Sequence, residues 1–367
     1  MRFKPSKKMF LTVSTLIATL FLSACVTTKN DRKAHDDSSN IVLETAIDSP
    51  RAENKYLSQE RAFKRSVRVS DVSYQLNYNL TGEKSFSASS TINFALSEKT
   101  SPLTVDLNKA QITSVIINGF PMPVKALEKN YNQWFITLPV EQLIKGNNTV
   151  TVKFTRKHST NGEGLHRFKD PVDDRVYLYS HFEPAAAQQM FALFDQPDLK
   201  ATFEMTVSAP KEWTVFSAMR EDKITKQGNF NIWHFPQSKT LSPYNFSLHA
   251  GPYKMWQDNN GKYPLRLFSR QSVANQITPK QWFTYTKQGF EFFDDYFGID
   301  YPFKKYDQVL VPDFLYGAME NAAAVTFAEG SFLTNGKMSL SRRERLASVI
   351  MHEMAHQWFG NLATMKW

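Results

Sequence analysis

The chain has 367 residues, 42% hydrophobic and 22% charged, values ordinary for a globular protein long enough to bury two cores. Its formal charge is +9, of which Arg2, Lys4, Lys7 and Lys8 contribute four; the remaining excess of +5 is spread along the chain and demands no nucleic-acid partner. The single cysteine, Cys25, excludes a disulfide within the chain.

Residues 1–24 read as a secretory signal: four basic residues, then an apolar stretch from Met9 to Leu22 that is too short for a confident membrane-spanning helix. Leu22-Ser23-Ala24-Cys25 resembles the lipobox of bacterial lipoproteins, in which the cysteine thiol takes a diacylglycerol and becomes the first residue of the mature chain. That resemblance implies a lipid anchor at Cys25, and Val26 in place of an aspartate implies the outer membrane, facing the periplasm. Residues 25–60 read as a flexible tether, since 26–55 are rich in Ser, Thr, Asn and charge and poor in large apolar side chains.

Residues 61–255 carry strand signals. Val72 to Leu80, Phe86 to Phe94, Gln111 to Ile117, Trp134 to Leu138, Thr149 to Phe154 and Ala201 to Ser208 are short and β-branched or aromatic. Several alternate apolar with polar residues. Asn118-Gly119 and Gly146-Asn147-Asn148 read as turns, and no internal repeat is present. A large, mainly β domain is expected.

From residue 256 the pattern turns α/β. Tyr263 to Ser269 reads as a strand, Pro279 to Phe297 as a helix ending at Gly298, and Tyr306 to Val311 and Ala323 to Ala328 as strands. A last helix is expected from about Arg342 to Phe359, opened by a Ser341/Glu344 capping box and closed at Gly360.

That helix carries His352-Glu353-Met354-Ala355-His356. Side chains four apart share a helix face, so both imidazoles can converge on one metal ion, for which zinc is the natural candidate. Glu353 lies beside them, able to act on a water as general base. The segment Gly317-Ala318-Met319-Glu320-Asn321 precedes His352 by 31 residues. Together with His352 to Asn361 it closely resembles the M1 family of zinc aminopeptidases, the gluzincins. Phe182-Glu183-Pro184 and Phe191 to Phe203 resemble a further stretch of that family; Gln196 departs from its usual Glu and reads as structural. Gly162 to Phe168 resembles bacterial members, and His166 within it reads as structural.

The resemblance covers about residues 60 to 367. It implies a saddle-like β domain followed by the first part of a thermolysin-like α/β zinc peptidase domain. His352 and His356 would ligate one zinc ion and Glu353 would serve as base. Glu320 and Glu183 would hold the substrate's free α-amine, and Gly317, Ala318, Met319 and Asn321 would form the strand along which a peptide lies. The family's third ligand would fall at position 375, beyond Trp367, and its catalytic Tyr further on. The chain therefore reads as the front part of a longer product, weak in zinc binding and activity by itself. Two alternatives stay open: a tethered peptide-binding protein without catalysis, and a zinc hydrolase of the same family acting on another small molecule such as an epoxide.

Overall fold

Apolar and polar side chains alternate along Val69–Asn79 and Ser85–Leu96, so one face of each strand is buried and the other faces solvent. These strands lie at the centre of an eight-stranded sheet, described here from a computed structural model that covers residues 51–334 and 336–367. Its spatial order is Lys223–Gln227, Phe230–Phe235, Thr202–Pro210, Val69–Asn79, Ser85–Leu96, Gly146–Lys157, Gln111–Ile117, Phe120–Pro121. One pairing, Val69–Asn79 with Thr202–Pro210, is parallel; the rest are antiparallel. Its buried face carries Tyr74, Phe86, Phe94, Phe154 and Phe203, and Phe203 stacks on Phe246 with ring centroids 4.5 Å apart. A four-stranded sheet follows, in the order Thr214–Ser217, Leu248–Gly251, Val176–His181, Gly164–Lys169. The first half of the molecule is thus mainly β, as expected.

A third, five-stranded sheet begins at Lys254. Its order is Lys254–Asp258, Leu265–Ser269, Tyr306–Val311, Ala324–Ala328, Ala318–Met319, with the three inner strands parallel and both edges antiparallel. Tyr306–Val311 is buried at every position, its Asp307 paired with Arg266 and Lys305 and its Gln308 bonded to Thr286. Four α-helices are described: α1 Gln59–Arg68, α2 Val124–Asn130, α3 Pro279–Phe297 and α4 Leu340–Ala355. Helix α3 covers the third sheet, with Trp282 edge-on to Phe327 and Phe290 edge-on to Tyr306. Helix α4 lies against α3 at Gly289, where a Cβ would stand 2.8 Å from the Met354 sulfur and 2.9 Å from that of Met351. The approach is made against the ends of two methionine side chains, which can give way to a methyl group but not to a larger side chain. Residues 52–367 form one compact unit.

Several expectations need correction. Helix α1 was not foreseen, because it is anchored by a buried ion pair, Arg65 to Asp106 at 2.8 Å, and only Ala62 and Arg65 are buried along it. The stretch read as the end of the tether is docked: Gln188 donates to the Lys55 carbonyl at 3.0 Å, and Lys55 pairs with Glu163 at 2.9 Å. Gly146-Asn147-Asn148 is no turn but the start of a strand, with Asn148 opposite Phe94. Helix α4 begins two residues early, since Ser339, not Ser341, accepts from the Arg342 amide. It stops at Ala355, where Gln357 and Trp358 switch to i→i−3 bonds with Met354 and Ala355. The signal segment, Cys25 and the tether through residue 50 lie outside the described residues. Among the described residues no helix is long and apolar enough to cross a membrane.

Candidate active site

His352 sits in the last turn of α4 and His356 caps its C-terminus. Their Nε2 atoms face each other at 3.2 Å. Two nitrogens bound to one tetrahedral zinc at ~2.0–2.1 Å would lie about 3.3 Å apart, so the pair is spaced as two ligands of one ion require. His356 Nδ1 lies 2.9 Å from the Phe359 carbonyl. A carbonyl only accepts, so the proton belongs on Nδ1 and the Nε2 lone pair faces His352. This contact exists because the chain leaves α-helical geometry after Ala355 and folds the Phe359 carbonyl back. Burial, followed by the neighbouring His356, lowers the His352 pKa and favours its neutral form. Among the described residues no group of three or more His, Cys, Asp and Glu is gathered to hold a metal ion.

Glu320 follows Ala318–Met319, the edge strand of the third sheet, in which Met319 pairs with Thr326. The Ala328 amide donates to the Gly317 carbonyl at 2.9 Å, which extends the pairing by one residue. Met319 and Asn321 are buried, and Asn321 donates to Thr326 Oγ1 at 2.9 Å, closing the turn that reverses the chain. These two side chains build the strand, while Gly317 and Ala318 leave backbone accessible along it. The Glu320 carboxylate comes to 3.9 Å from His356 Nδ1.

Glu183 lies just past strand Val176–His181, and its pKa is raised by burial and then by Glu320, with His356 opposing. Burial, then Glu320 and Glu183, push the buried Glu353 up to about 8. Tyr244 is pushed up to about 12 by burial and Glu320, with Glu183 adding to this and a hydrogen bond with Asn245 opposing. Glu183, Glu353 and Tyr244 thus all feel the Glu320 carboxylate, and the carboxylates form a half-dry acidic pocket beside the imidazole pair. Such a pocket favours a cation.

The structure brings together His352, His356, Glu353, Glu320 and Glu183, although Glu183 stands 137 residues from Glu320 in sequence. Sequence reasoning missed Tyr244 and Asn245, which no local pattern marks. It quoted Gln357 and Asn361 only as part of a motif, yet both are buried and both donate to the Glu320 carbonyl, at 3.2 and 3.0 Å. His166 is structural as read: its Nδ1 accepts from the Gly162 amide at 3.0 Å. Gln196 is structural too, accepting from Arg65 Nε at 2.9 Å and donating to the Ala62 carbonyl at 2.9 Å.

Comparison with known proteins adds an independent line. Residues 70–245 match the family model of the peptidase M1 N-terminal domain, and residues 282–367 match that of the peptidase family M1 domain. The chain is 37% identical over 318 residues to aminopeptidase N of Streptomyces lividans, covering 85% of this chain and 36% of that protein. It is 28% identical over 311 residues to aminopeptidase N of Canis lupus familiaris, covering 80% of this chain and 32% of the relative. To glutamyl aminopeptidase of Rattus norvegicus it is 28% identical over 323 residues, covering 83% and 34%. The chain spans about a third of the length of these curated relatives.

Proposed function

Because the chain belongs to peptidase family M1, we propose that it carries the amine-recognising carboxylates, the general base and two of the zinc-ligating side chains of an aminopeptidase. His352 and His356 would hold the zinc ion. When bound, zinc supplies Lewis-acid chemistry, polarising a carbonyl and acidifying water. Glu353 takes the proton of the attacking water and returns it to the leaving amine. Glu320 and Glu183 receive the substrate's α-ammonium through charge-assisted hydrogen bonds. The free edge at Gly317 and Ala318 pairs with the backbone that follows.

The observation that carries this reading is the placement of Glu320, its carboxylate 3.9 Å from the ring whose other nitrogen faces His352. A carboxylate fixed so close to the imidazole pair leaves room for one residue between bound amine and scissile carbonyl, which makes the reaction an exopeptidase one. The test uses the gene product that contains this chain, with aminoacyl p-nitroanilides as substrates. Free-amine substrates should be cleaved and N-acetylated ones ignored. Glu353→Gln should lower kcat by about 10²-fold or more with bound zinc unchanged, whereas His352→Ala should lose zinc. Turnover that survives in Glu353→Gln, or equal cleavage of the acetylated substrate, would refute the assignment.

For location we propose the bacterial cell envelope, through a lipid on Cys25. The lipobox-like Leu22 to Cys25 supports this. Metabolic labelling with a fatty-acid probe should mark the wild type and not Cys25→Ser; equal labelling of both would sink it.

A further inference from the structure

Glu320 stands just past the last ladder pair of its strand, so strand pairing alone does not fix its position. Its carbonyl instead accepts from two buried carboxamides, Asn361 Nδ2 at 3.0 Å and Gln357 Nε2 at 3.2 Å. Both belong to the turn that follows α4. The Asn361 amide donates to the His356 carbonyl at 3.0 Å, and Gln357 Nε2 also reaches the Glu353 carbonyl at 3.3 Å. Asn361 Oδ1 in turn accepts from Asn245 Nδ2 at 2.5 Å, while the Asn245 carbonyl accepts from the Ala322 amide at 2.9 Å. The bonds form a closed circuit through the strand end, the turn after the histidines and the 3₁₀ turn Pro243–Asn245.

We propose that Asn361, seconded by Gln357, is a positioning residue that sets the distance between the amine-binding carboxylate of Glu320 and the His352–His356 pair. The inference rests on the function proposed above and adds to it a ruler: the enzyme selects substrates by the spacing between their amine and their scissile carbonyl. Removing the carboxamide frees the strand end to shift, while every side chain that touches substrate is retained.

The experiment compares kcat/KM for alanyl and β-alanyl p-nitroanilide, which differ by one methylene between amine and carbonyl. Wild type should strongly prefer the α-amino substrate. In Asn361→Ala that preference should fall about tenfold, because small misplacements of reacting groups are costly to the favoured geometry. The ratio does not depend on how much protein is folded, so a purely structural role lowers both rates and leaves it unchanged. If Asn361→Ala does not fold, Gln357→Ala carries the same test with the same expected direction. An active wild type with an unchanged ratio in the folded variants overturns the inference alone. A wild type that cleaves neither anilide overturns the proposed activity, and the ruler with it.

Discussion

Gln196→Glu should destabilise the folded chain at neutral pH. Gln196 is buried and uses both ends of its amide: Oε1 accepts from Arg65 Nε at 2.9 Å, while Nε2 donates to the Ala62 carbonyl at 2.9 Å and to Asp198 Oδ1 at 2.6 Å. A glutamate keeps the first bond and charges it, a gain of about 1 kcal/mol over the neutral version. The second oxygen then faces a carbonyl and a carboxylate with no proton to offer. Leaving a buried acceptor so placed costs about 1–3 kcal/mol, and repulsion from half-buried Asp198 adds roughly 1 more. Arg65 pairs with Asp106 through Nη1 at 2.8 Å, and its Nη2, buried without a partner, can meet the new carboxylate and offset about 1 kcal/mol. The net expectation is a loss of ~1 kcal/mol, read as a lower urea midpoint at pH 8. The two acceptors hold the introduced carboxyl above its ordinary pKa of ~4.3, so the penalty is present above the folded pKa and shrinks as pH falls toward 4. Asp198→Asn in the same chain restores a donor and should recover about 1 kcal/mol, a coupling that a double-mutant cycle measures. Equal stability of Gln196→Glu and wild type at pH 8, or no coupling to Asp198→Asn, would refute the account.

Burial and then Asp106 push Asp195 to about 7, against hydrogen bonds from Gln188. The folded state therefore binds this proton more tightly than the unfolded chain does, and stability falls as pH rises from about 4 to about 7. Asp195→Asn, always neutral, should gain on wild type by up to ~3 kcal/mol between pH 5 and pH 8 in urea unfolding, at ~1.4 kcal/mol per pKa unit. No change in their difference over that range would contradict the assignment. Gly289→Leu should cost about 1–3 kcal/mol by forcing α3 from α4, and should weaken zinc binding measured by calorimetry, since α4 carries the histidines. Gly289→Ala should be nearly neutral, because the atoms it meets are the ends of flexible Met351 and Met354 side chains.

Where side chains pack by period, the elements were legible. Gln111–Ile117, Tyr306–Val311 and Pro279–Phe297 have the bounds expected from sequence, the last closed by Gly298 at φ 63°. Helix α1 was not, because its attachment is an ion pair and an amide, and polar anchors leave no periodic trace. The start of α4 was ambiguous in sequence, since Ser339 and Ser341 are both competent caps and only the fold decides which oxygen meets an amide. The imidazole pair was legible because helical geometry turns a spacing of four into a shared face. The position of Glu183 was legible only through its motif, since tertiary folding alone brings it to Glu320. Tyr244 and Asn245 had no signal at all.

Three residues to which the sequence assigned no role share a chemical property that explains what they do. Asn245, Gln357 and Asn361 are carboxamides, and all three are buried. A Lys or Arg bridging to the Glu320 carbonyl would add a positive charge beside a pocket in which Glu320 raises the pKa of Glu183, and Glu320 and Glu183 raise that of Glu353. That bridge would compete with the ammonium which the pocket is proposed to bind. A carboxylate bridge could not donate to a carbonyl. Neutral amides, each offering donor and acceptor together, are the side chains that fix the strand end without altering the field, and so the ruler and the charge pocket can occupy the same few ångströms.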